Sequence, residues 1–84
     1  MALDTAALAR ASGALRGYAG AGQPKDQAEA HAALSDLLLT AMSDGNKAAE
    51  QLLRQARALS AYGQAGANQA DYLLGDLPAA YSAR

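Results

Sequence analysis

Cysteine, tryptophan, phenylalanine, valine and isoleucine are all absent from this 84-residue chain. Without cysteine there is no disulfide framework and no thiolate nucleophile or metal ligand. Strands draw on β-branched and aromatic side chains, and here Thr5, Thr40 and four tyrosines are the whole supply. A β-sheet is therefore not expected. Charge of one sign is missing too: seven basic residues stand against eight acidic ones, net −1, which invites neither nucleic acid nor an anionic membrane surface. The longest run of large apolar residues is Leu37-Leu38-Leu39, far short of a membrane span. The opening Met1-Ala2-Leu3-Asp4 lacks a basic n-region, so a cleaved leader is not expected. The expected location is cytoplasmic, or outside the cell by a route that needs no leader.

What the chain has in excess is alanine, 24 residues, and leucine, 13 residues, the two that head the helix scale. The length suits one small domain over residues 1–84. Asp4 is placed to cap a first helix over residues 5–19, with Leu3 and Leu8 at the positions of a hydrophobic staple. Leu8, Ala11, Leu15 and Tyr18 then form one apolar stripe. Gly20-Ala21-Gly22-Gln23-Pro24 ends that helix. Asp26 and Glu29 have capping-box spacing, predicting a second helix over residues 26–42. Its three consecutive leucines cover more than half of the helix circumference, so contact from several sides is expected.

Ser43-Asp44-Gly45-Asn46 is four turn-favouring residues in a row and marks the interhelical turn. From Lys47 to Leu77 the pattern is helical again. Ala49, Leu52, Ala56, Leu59, Gly63, Gly66, Ala70, Leu73 and Leu77 step by three and four without a slip, a heptad seam. That regularity predicts one long, straight helix with residues 78–84 as a tail, because Pro78 does not continue a helix. Gly63 and Gly66 admit two readings: a close approach of another backbone along the seam, or a local break. The whole is expected to be an all-α helical hairpin with coiled-coil-like packing, its first arm interrupted at the Gly-Pro loop. Leu34, Leu37, Leu38, Leu39, Met42, Leu52, Leu59, Gly63, Gly66 and Leu73 are the candidate seam, shared between the core and a helical protein partner. A shortage of large side chains argues for such a partner, as a homo- or hetero-oligomer.

Catalysis is not expected. One histidine, His31, sits among alanines, and the carboxylates are scattered singly. Gly20-Ala21-Gly22 follows a helix rather than a strand, so it lacks the setting of a phosphate-binding loop. No metal and no cofactor is implied.

The remaining pattern is Tyr72-Leu73-Leu74-Gly75-Asp76, an aromatic ring and a carboxylate four residues apart. Here the chain resembles the small helical proteins of bacterial type VII (ESX) secretion, the WxG-type, PE and EspC-like group. The resemblance implies that Tyr72 and Asp76 form a Tyr-x-x-x-Asp export signal read by a secretion ATPase. It places Ser43-Asp44-Gly45 at the interhelical turn, and Leu3-Asp4-Thr5-Ala6-Ala7-Leu8 is similar to the start of EspC-like members. A second resemblance is to type III secretion needle subunits, carried by Leu59-Ser60-Ala61-Tyr62 and by Asp76-Leu77-Pro78-Ala79-Ala80-Tyr81. It implies a filament-forming hairpin whose second helix runs almost to the C-terminus. A cytosolic helical co-chaperone that shields a secretion subunit is a third reading.

Overall fold

A computed structural model describes residues 2–82, which are helical throughout apart from short connections. The elements are α1 (Thr5–Ala21), α2 (Pro24–Ser43), α3 (Lys47–Leu59), α4 (Gly63–Leu74) and α5 (Leu77–Ser82), with a single 3₁₀ turn at Ser60–Tyr62. No strand occurs among the described residues. The all-α expectation holds, and successive helices pack as antiparallel hairpins: α1 on α2, α2 on α3, α3 on α4, with α4 returning to α1. Both arms of the expected hairpin are thus themselves doubled back, giving an up-down-up-down bundle of 36 × 17 × 15 Å.

Local chemistry accounts for most of the helix ends. The Asp4 carboxylate accepts from the Ala7 backbone N–H at 3.0 Å, as a cap should. The first helix continues two residues beyond the expected Ala19 and closes on Gly22, whose N–H donates to the Tyr18 carbonyl from a left-handed conformation (φ 68°). α2 starts at Pro24, ahead of the expected Asp26, because proline is favoured at the first helical position, where its missing N–H costs nothing. The expected turn stands, with Asn46 capping α3: its Oδ1 accepts from the Ala49 N–H at 3.2 Å. Asn46 does more than cap, since its Nδ2 also donates to the Ala80 carbonyl at 3.3 Å and the residue is buried. That bond ties α5 to the opposite end of α3.

The long straight helix over residues 47–77 is not what the chain forms. α3 tightens into the 3₁₀ turn, where Ser60 Oγ donates to the Arg57 carbonyl, and the chain reverses at Gly63 with φ 89° and ψ −165°. Only glycine occupies that region without strain. Three residues on, a Cβ at Gly66 would lie 2.0 Å from the Leu59 carbonyl oxygen and 3.1 Å from the Tyr62 Cβ. Both readings of these glycines are therefore realised, one each: Gly63 is the break, and Gly66 the close approach, made to the chain's own α3. The predicted tail is also revised. Pro78 is the second residue of α5, a position that needs no backbone donor, and Leu77 beside it is fully buried. Ala83 and Arg84 of that tail lie outside the described residues.

The core is built from few large side chains and many small ones. Leu15, Leu34, Leu53 and Leu77 are the largest fully buried residues, one each from α1, α2, α3 and α5. Around them lie Ala11, Ala33, Ala41, Ala49, Ala56, Ala67 and Ala70, all with no exposed surface. Alanine at a helix contact lets axes approach toward the lower end of the usual 8–10 Å range. The shortage of bulky residues is met by closer packing within one chain.

Candidate interaction surface

Outward-facing positions divide by charge. On the α1–α2 side, Arg10 pairs with Glu29 and lies 3.6 Å from Asp36. Across α1 and α4, Arg16 Nε lies 2.9 Å from Asp71 Oδ2 while Ser12 Oγ donates to Asp71 Oδ1. The Asp71 side chain is 16% exposed and Arg16 75%, so this clasp is half sheltered and serves to hold α4 on α1. α3 carries Lys47, Glu50 and Arg54 as a local ladder, of which Arg54 reaches Met42 of α2.

Between α3 and α4 the surface is different. A shallow groove of about 520 Å³ is lined by Gln55, Leu59, Asn68, Gln69, Tyr72 and Leu73, none of them charged. Leu59 and Leu73 are half-buried at its floor, and Tyr72, 84% exposed, stands at its rim. Leucine supplies apolar contact, the amides donate and accept, and the phenol does both. Such a surface suits contact with protein, since aromatic side chains carry much of the energy of protein interfaces. Tyr62, 80% exposed, adds a second unburied ring at the α3–α4 turn.

The two residues expected as an export signal are both exposed. α4 ends at Leu74, between them, so Tyr72 lies in the last turn of α4 and Asp76 in the bend before α5. Asp76 accepts from the Ala80 N–H through its carbonyl, opening α5. They do not share one continuous helical face.

The expected seam divides. Leu34, Leu37, Leu38 and Gly66 are buried inside the bundle and unavailable to a partner. Leu39 and Met42 are exposed, with Met42 Sδ accepting from Arg54 at 3.8 Å. Leu52, Leu59, Leu73 and Gly63 are half-buried. The buried stripe of the second arm runs through Ala49, Leu53, Ala56 and Ser60, then Gly66, Ala70, Leu74 and Leu77. Leu53 and Leu74 were missed because each sits next to a leucine that fits the heptad, and the pattern alone does not choose between neighbours. Asn46 was expected only as a turn residue, and its cap and its bond to Ala80 were missed; Asp71 was missed because the carboxylates were read as scattered, solvated charges.

His31 is exposed at the edge of a second, smaller depression with Pro24, Gln27, Ala28, Ser60 and Ala61. No group of three or more His, Cys, Asp or Glu suited to a metal ion occurs among the described residues. No helix of the described residues is long and apolar enough to cross a membrane. Comparison with protein-family models, curated proteins and solved structures finds no match to this chain.

Proposed function

We propose that this protein acts through protein–protein contact, as a substrate or partner of a bacterial specialised secretion system of the type VII class, with Tyr72 and Asp76 as its export signal. The reading rests on one observation: a tyrosine 84% exposed at the end of α4, at the rim of an uncharged groove, with no part in holding the fold together. With Leu59 and Leu73 on the groove floor the ring forms a contiguous uncharged patch, and it is such patches that mark interaction sites. The needle resemblance implied a second helix running almost to the C-terminus, and here that arm reverses at Gly63. The closed bundle thus lends the filament reading no support from that helix.

The test is export of a Tyr72→Ala/Asp76→Ala double variant from a host with an active type VII system. Loss of the secreted protein is expected, with the intracellular protein retaining its helical circular dichroism, because Tyr72 packs against nothing in the core. Secretion at the wild-type level overturns the proposal. A wild-type protein that itself stays inside and binds a secretion subunit one to one supports the co-chaperone reading instead.

A further inference from the structure

The reversal at Gly63 raises a question that its own residues answer. Every position on the heptad seam from Ala49 to Leu77 keeps its three-four spacing straight through the 3₁₀ turn. Leu59 (φ −63°, ψ −36°) and Ser60 (φ −63°, ψ −17°) already hold right-handed helical or near-helical backbone. Gly63, at φ 89° and ψ −165°, is what turns the chain around. Both Gly63 and Gly66 serve the reversal, the first by its backbone angles and the second because a side chain there would strike the Leu59 carbonyl. A straight helix does not need the first; the second is needed wherever an α4 packs against an α3, its own or another copy's.

We infer that α4 and α5 form an exchangeable arm, and that the partner this fold accepts is a second copy of the same chain. When α3 and α4 straighten into one helix, the arm leaves its own bundle and docks on α1 and α3 of another copy, which docks its arm in return. All closed contacts are then remade between chains: Asp71 on Ser12 and Arg16, the Asn46 amide on the Ala80 carbonyl, and Leu77 in the core. Reciprocal exchange closes with two-fold symmetry and buries no new surface, so only the hinge differs between the two states. Short hinges in a constrained conformation favour this exchange. Tyr72 stays on the outer surface in both forms, so the inference stands apart from the export reading.

The experiment uses the full chain, refolded at low and at high concentration and sized by analytical ultracentrifugation. The wild type is expected to give monomer when refolded dilute and a dimer that persists on dilution when refolded concentrated. Gly63→Ala is expected to raise the dimer fraction by about fivefold or more, since it penalises the reversal and favours helix. Exchange is identified by mixing a Ser12→Cys chain with an Asp71→Cys chain, refolding them together, and adding a short thiol cross-linker; the native chain has no cysteine to interfere. A covalent dimer containing one of each chain is the expected product. The inference is overturned if Gly63→Ala remains monomeric at every concentration, if it loses its helicity, or if a dimer forms without the mixed cross-link.

Discussion

Asn46 shows how much a single side chain carries in a bundle with so few large ones. Its carbonyl oxygen caps α3 and its amide holds the Ala80 carbonyl, so one buried residue joins the start of α3 to α5. Replacing it with alanine removes the cap and leaves the Ala80 carbonyl without its partner. A loss of about 1–2 kcal/mol is expected, read from the urea midpoint, whereas Asn46→Ser keeps a capping oxygen and gives up the amide donor to Ala80. Equal losses in the two variants would show that the tie to α5 contributes all of the effect. From the sequence, Asn46 reads as a turn residue only, although its cap depends on the next three residues. Its second bond reaches 34 residues away and has no local signature.

Among the elements, α4 is the weakest. It begins with Gly63, contains Gly66, and its only buried large side chain is Leu74. By contrast α2 buries Leu34, Leu37 and Leu38. Glycine costs about 1 kcal/mol each in a helix interior, so α4 depends on its docking to α1 and α3. Amides of α4 and α5 are accordingly expected to exchange with solvent through a lower-energy opening than those of α2, measured by native-state hydrogen exchange. Equal protection of α2 and α4 would contradict this ranking. The asymmetry fits the exchangeable arm, since an element that opens first is the one available to swap.

At the scale of the whole molecule, the largest fully buried side chains, Leu15, Leu34, Leu53 and Leu77, come from four different helices of one chain. Leu53→Ala, in the centre of α3, is expected to destabilise the protein by about 3 kcal/mol, while Leu39→Ala, on the exposed side of α2, is expected to change stability by less than about 0.5 kcal/mol. Urea unfolding of the two variants checks the contrast, and a comparable loss in both would mean that Leu39 is covered in solution. Helical content, the two turns at Gly20–Pro24 and Ser43–Asn46, and the cap at Asp4 were legible in the sequence, because each depends on backbone propensity and on hydrogen bonds within four residues. The reversal at Gly63 was not. A heptad pattern reads the same whether its helix runs straight or folds back on itself, since the apolar face is kept either way. What decided between them is tertiary: folding back brings Leu77 into contact with the interior formed by Leu15, Leu34 and Leu53, places Asp71 against Ser12 and Arg16, and lets two glycines sit where no other residue fits.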